Sequence, residues 1–361
     1  MKQLITKLSL GLTGGVLTVA ALAGASASAM DQPLVGLDRT IPGTCTSTIL
    51  PVALGDGQSA DQQVAVTLCA PKYKAQGQPQ VDVLTAGATY NSSYWNWPQN
   101  PDLYSYVNKT LDAGRATLAY DRIGSGNSSR PASGSITMAS DAYVLHELVQ
   151  GLHAIGYPQV NSVGHSYGSG IAMHEAATYQ DVSRLVLTGY LHAGRNPIVG
   201  SATYPAANDP LFAGQQNLAG YLTTTPATDT APSGRQAAFY SSAADPSVIA
   251  YDDAHKDLVS LTGFLSYLGD RAVPAGGNLS NQVTAPTLLI IGDQDQTGCF
   301  DASIGGLDCS DPASVQAHEA AYYTGAASFS FDEVANTGHD LALHPSANDS
   351  FQMIDGWIQS H

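Results

Sequence analysis

Residues 160–170 read VNSVGHSYGSG: four β-compatible residues run into Gly164-His165-Ser166-Tyr167-Gly168 and then into a helix-forming stretch. A serine with a glycine two residues away on each side suits a very tight strand-to-helix turn, because a side chain at either flank would strike the neighbouring strand or helix. Such a turn holds its serine under backbone strain and lifts the hydroxyl clear of the sheet. No other serine in the chain has glycines at both of those positions.

Outward from this turn the chain alternates short apolar runs with amphipathic stretches, the rhythm of a mainly parallel sheet flanked by helices. The predicted strands are residues 81–87, 116–121, 160–166, 184–190, 287–293 and 327–334, with STILPVAL and QVAVTLCAP ahead of them as an antiparallel hairpin. DAYVLHELVQGLHAIG carries Leu145, Leu148, Val149, Leu152 and Ile155 at helical spacing, so it should pack on the sheet. From 191 to 283 the rhythm fails and Pro, Gly, Asn and Thr accumulate around helical patches such as DPSVIAYDDAHKDLVSL. So long a stretch is too much for a loop, and an inserted cap or lid accounts for it better. The expected organisation is a signal peptide at 1–29, an α/β core at 30–190 and 284–361, and the cap at 191–283.

The signal peptide is expected because MKQLITKLSLGLTGGVLTVAALAGASASA sets two lysines before an apolar run that ends in small residues. Secretion follows from it, with no stable membrane insertion of the remainder. A composition of 43% hydrophobic and 12% charged residues supports a substantial core. The formal net charge of -16 repels nucleic acid and anionic membranes, which excludes both as partners. In a chain bound for export the four cysteines read as two disulfides; three pairings are possible, and the local one, Cys45 to Cys69 and Cys299 to Cys309, is expected. They lack the spacing of a zinc site, and neither a metal nor a cofactor is expected.

A hydroxyl is a poor nucleophile, so Ser166 needs a base to take its proton and an acid to orient that base. TLLIIGDQDQTG places Asp293 and Asp295 where an apolar strand ends; Asp295, in the loop beyond it, is the candidate acid and Asp293 the fallback. His339, in the NTGHDLALHP loop after the last predicted strand, is the candidate base. His344 is better placed at a helix start, and strand alternation turns His165 away as a packed neighbour. An oxyanion would require two N–H donors, expected from Tyr167 and from Ala88, with Thr89 as the alternate. Tyr90 and Trp95 in the same loop are candidate substrate contacts, with core packing the competing role for Trp95 and Trp97.

These residues resemble the α/β-hydrolase superfamily, in particular its esterase- and lipase-like members with an inserted cap. The order Ser166, Asp295, His339 matches the superfamily's order of serine, acid and histidine. YDRIGSGNSSRP (120–131) is similar to its Asp-x-x-Gly-x-Gly-x-Ser loop, whereas Ala86-Gly87 stands where many members have His-Gly. The resemblance implies a secreted serine hydrolase of small-molecule carboxylic esters that works through an acyl-enzyme. The alternative within that chemistry is an aminopeptidase, with Asp252, Asp253 and Asp257 available to meet a substrate ammonium. A non-catalytic protein on the same scaffold is the third reading.

Overall fold

The computed structural model describes residues 36–193 and 196–361, so the expected signal peptide lies outside the described residues. Strands β1 (Cys45–Val52) and β2 (Gln62–Cys69) form the anticipated antiparallel hairpin, with Cys45 opposite Cys69. Along the chain follow β3 (Gln80–Thr85), β4 (Ala116–Tyr120), β5 (Gln159–His165) and β6 (Arg184–Thr188). Three short strands come next, β7 (Thr203–Pro205), β8 (Tyr221–Thr224) and β9 (Val259–Ser260), and then β10 (Thr287–Gly292) and β11 (Phe329–Val334). The central sheet has eight strands in the order β1-β2-β4-β3-β5-β6-β10-β11. Every pair from β4 to β11 is parallel, and β2 joins β4 antiparallel.

Helices α1 (Pro101–Tyr104) and α2 (Tyr106–Asp112) link β3 to β4, α3 (Met138–Ala154) links β4 to β5, and α4 (Tyr167–Tyr179) links β5 to β6. The insertion between β6 and β10 adds α5 (Pro197–Ser201), α6 (Gly234–Phe239), α7 (Pro246–Ala254) and α8 (Leu261–Arg271). After β10 come α9 (Pro312–Ala320) and the final α10 (Ala347–Ser360).

Local sequence explains α3. Thr137 caps its first turn by accepting from Ser140 N–H while Ser140 Oγ accepts from Thr137 N–H, and its apolar face buries Leu145, Leu148, Val149 and Leu152 at 0% exposure. Each of those side chains stabilises the fold by about 1.5–3 kcal/mol, so truncating Leu148 to alanine should cost about 2–5 kcal/mol. Alternation along the strands splits the core between the two faces of the sheet. Val81, Val83, Val160, Leu187 and Leu289 pack with α3 and α4, whereas Leu84, Val163, Val186, Leu288 and Ile290 pack with α2 and α10.

Two parts depart from the sequence reading. The insertion, expected as a cap with helical patches, also contains its own antiparallel sheet, β7-β8-β9, whose strands were not read from the sequence. Helix α9 lies in a segment for which the sequence reading named no element; it starts from Asp311, whose side chain accepts from Ser314 N–H ahead of Pro312. Both disulfides pair as expected, Cys45 with Cys69 and Cys299 with Cys309. Among the described residues no helix is long and apolar enough to cross a membrane.

Candidate active site

Four neighbouring parallel strands, β5, β6, β10 and β11, deliver the chemistry-bearing side chains to one edge of the sheet, at the strands' C-terminal ends. Ser166 follows β5 directly and adopts φ 54°, ψ −119°, a conformation that L-residues rarely take, before α4 begins at Tyr167. Its N–H donates to Thr188 O at 2.8 Å, which pins the turn to β6. The flanking glycines are sterically required. A Cβ on Gly164 would fall 2.5 Å from Ser169 Cα in the helix, and one on Gly168 would fall 2.5 Å from Ala86 O beyond β3.

His339 and Asp295 meet behind this turn. His339 Nδ1 lies 2.8 Å from Asp295 Oδ2, and both residues are buried, at 3% and 1% exposure. The other carboxylate oxygen, Oδ1, accepts from Thr297 N–H at 2.8 Å and from Thr297 Oγ1 at 2.7 Å. Burial opposes the charge on Asp295, but the imidazole and the Thr297 donors prevail and hold its pKa below the usual carboxylate value. Burial likewise works against the imidazolium, yet the Asp295 carboxylate outweighs it and raises the His339 pKa above the ordinary histidine value. Asp293, the fallback acid, instead accepts from Thr337 N–H. His344 braces the loop before α10: its Nε2 accepts from Ser241 and Gly338 N–H, both at 3.1 Å.

The loop after β3 flanks the serine, since a Cβ on Gly87 would sit 3.2 Å from Ser166 Cβ. Ala88 is partly open to solvent, and among the described residues its N–H meets no acceptor. Tyr167, first residue of α4, has an N–H that no Ser166 side-chain cap occupies. Both groups are therefore free to donate outward. Thr89 is buried with φ 61° and its carbonyl faces inward, accepting from Asp257 N–H at 2.8 Å.

One expectation is corrected here. Tyr90 and Trp95 are 5% and 1% exposed and are packed into the core on the α10 side of the sheet, so neither offers a surface to a substrate. Tyr90 Oη donates within a cluster containing Asp252 at 2.8 Å and Asp340 at 2.5 Å. His165 is a packed neighbour, as expected, stacked on Tyr94 at 4.4 Å, and its ring centroid lies 4.8 Å from that of His339. It bonds Asp340 Oδ1 at 3.1 Å, while burial and the neighbouring His339 lower its pKa well below the ordinary value, so it stays neutral.

The alpha/beta hydrolase fold model matches residues 91–298, more than half of the chain. The chain belongs to that family. Three solved structures share the α/β-hydrolase architecture. An esterase from Thermogutta terrifontis is 14% identical, with TM-score 0.52 over 82% of this chain and 94% of its own. An epoxide hydrolase from Vigna radiata is 15% identical, with TM-score 0.54 over 90% of this chain and 100% of its own. An enol-lactonase from Burkholderia xenovorans is 15% identical, with TM-score 0.51 over 82% of this chain and 97% of its own. No curated protein sequence matches the chain. At such identities the likeness concerns the fold.

Sequence reasoning missed several residues of this α/β hydrolase site. Arg122, inside the Asp-x-x-Gly-x-Gly-x-Ser loop, donates to Ala86 O, Gly87 O and Tyr90 O at 2.9–3.1 Å and so fixes the backbone beside Ser166. The motif was visible, but the partners of its arginine are more than thirty residues away. From the insertion, Arg235 bonds Thr89 O and Asp252, and α8 brings Tyr267 and Arg271. Tyr267 packs 5.5 Å from Tyr167, with its hydroxyl beside Ser166 and Arg271. Arg271 donates to Leu191 O at 2.8 Å, and its positive charge acts on His339.

Proposed function

We propose that this α/β hydrolase is a secreted serine hydrolase of carboxylic esters. The observation that carries the reading is the 2.8 Å contact of His339 Nδ1 with Asp295 Oδ2 beside a serine held on a strained, glycine-flanked turn. With Nδ1–H directed at Asp295, His339 Nε2 is left as the base. Ser166 Oγ attacks the acyl carbon as its proton passes to Nε2, and the tetrahedral oxyanion receives the N–H groups of Ala88 and Tyr167. The imidazolium then protonates the departing alcohol, leaving an acyl-Ser166 ester. Water, deprotonated by the same Nε2, attacks that ester, releases the acid and restores the serine hydroxyl. The proton that leaves with the alcohol comes from Ser166, and the water that hydrolyses the acyl-enzyme gives one back to it through His339.

The two disulfides support export, since such bonds persist in oxidising compartments. The aminopeptidase alternative is less well supported. Asp252 is bound to Arg235, Tyr90 and Tyr240, and Asp257 accepts from Asn91, Gly126 and Leu258, so of the three candidate aspartates only half-buried Asp253, whose Oδ1 has no partner among the described residues, is left to meet an ammonium.

The test is a matched panel of p-nitrophenyl esters, acetate to palmitate, beside aminoacyl p-nitroanilides, run on the protein and on Ser166→Ala. Ester turnover that disappears in the variant is expected. Anilide turnover above ester turnover would move the protein to the peptidases, and equal rates in parent and variant would overturn the site assignment.

A further inference from the structure

The far end of α4, away from Ser166, holds a second cluster that the ester chemistry does not use. His146 on α3, Glu175 on α4 and Asp181 just past the end of α4 point their ligand atoms at one another, all within 4.8 Å. His146 Nδ1 is 2.8 Å from Asp181 Oδ2 and 3.9 Å from Glu175 Oε1. The His146 ring is stacked on Tyr179 at 3.9 Å, which fixes its direction. Gln150 Nε2 donates to Asp181 Oδ2 at 2.5 Å and holds that carboxylate in place from outside the cluster.

Glu175 is the observation that asks for a ligand. It is 0% exposed, and neither of its carboxylate oxygens has a hydrogen-bond partner among the described residues. A buried carboxylate without a donor costs several kcal/mol, so such groups are found paired or coordinating a cation. His146 is 6% exposed, and its Nε2 likewise meets no partner. Helix α4 adds a field of the right sign. Its C-terminal carbonyls end beside Asp181 with no basic residue in the last turn, and a cation there would complement the helix dipole.

We infer that His146, Glu175 and Asp181 bind one divalent transition-metal ion, with zinc the best fit. One imidazole and two carboxylates form a mixed nitrogen and oxygen set of borderline softness, which suits zinc and its neighbours, whereas calcium takes six to eight oxygens. Asp181, with 16% of its side chain exposed, gives the ion a way in, and water can complete the coordination. The ion would tie α3 to the tail of the helix whose head carries Ser166. Its role is structural, and it stands apart from the hydrolytic steps.

The test uses the chelator-stripped protein and its Ser166→Ala variant, with zinc chloride, manganese chloride and calcium chloride as probes. Binding is read by isothermal titration and by elemental analysis after dialysis. One equivalent of zinc is expected in both proteins, which keeps this result independent of the ester reading. Glu175→Gln should weaken zinc binding about tenfold or more, and Asp181→Asn, at a partly exposed position with little risk to folding, should do the same. Circular dichroism checks that each variant is folded. Absence of zinc uptake by the parent would overturn the inference, as would uptake undiminished in Asp181→Asn or saturation by calcium alone. In the first case Glu175 is held as a protonated carboxyl shared with Asp181.

Discussion

Arg235, contributed by the insertion, bonds the carbonyl of Thr89 in the loop that flanks the serine. The same guanidinium lies 4.0 Å over the Tyr90 ring and pairs with Asp252 at 3.1 Å, all of it buried. Arg122 donates to Gly87 O and Tyr90 O in the same turn. The backbone around Ala88 is thus held by two buried arginines, one from the insertion and one from the loop after β4.

Replacing Arg235 with glutamine should therefore lower kcat more than it changes KM, by up to about 100-fold, the scale set by losing one oxyanion donor. It also strands Asp252 as an unpaired buried charge, a destabilisation of about 3–5 kcal/mol. Adding Asp252→Asn should restore much of the stability without restoring kcat. Urea unfolding and ester kinetics on the single and double variants separate the two effects.

The acid limb of the pH–rate profile should lie above the ordinary histidine pKa. Asp295 favours the imidazolium despite burial, so His339 keeps its proton to a higher pH and becomes a base only above it. Arg271 acts the other way: its charge lowers the His339 pKa, so Arg271→Gln should move the acid limb to higher pH. A limb that stays in place would remove Arg271 from the electrostatics of the site. The measurement is kcat/KM of a short-chain ester across pH 5 to 9 for parent and variant.

Thr297→Val removes the hydroxyl that donates to Asp295 Oδ1 at 2.7 Å but leaves the backbone N–H donor in place. A hydrogen bond to a charged group contributes about 1.5–3 kcal/mol, so kcat/KM should fall about tenfold or more. Most of the loss should appear in kcat, because the hydroxyl orients the acid and does not touch the substrate.

Cys299 is joined to the acid's turn directly: its N–H donates to Asp295 O at 2.7 Å. Closing the loop to Cys309 contributes about 2–3 kcal/mol in the chain-entropy account. The Cys299→Ser, Cys309→Ser double variant should keep its far-UV circular dichroism and lose activity first on warming. Coincident loss of both signals would mean that the bridge supports the whole sheet.

How much of this was legible depends on how local the cause is. Strand β10 could be read because TLLIIG is an apolar run that ends in turn residues, and β5 because the β-compatible VNSV runs into the glycines around Ser166, which announced their own steric need. Ser166, Asp295 and His339 follow from those strands, since each occupies or succeeds a strand's end. Arg235, Asp340 and Thr297 were not legible, because their importance rests on partners such as Thr89, Tyr90 and His339 that only the folded chain brings near.

The strand order carries a consequence for how the site assembles. Ser166 leaves β5 early, but Asp295 and His339 follow β10 and β11, the last two strands of the chain. Those strands lie beside β6 in the sheet, so Ser166 and its two proposed partners come together only when segments more than a hundred residues apart have docked. On the proposed reading, a chain truncated before residue 339 would carry the serine without its base.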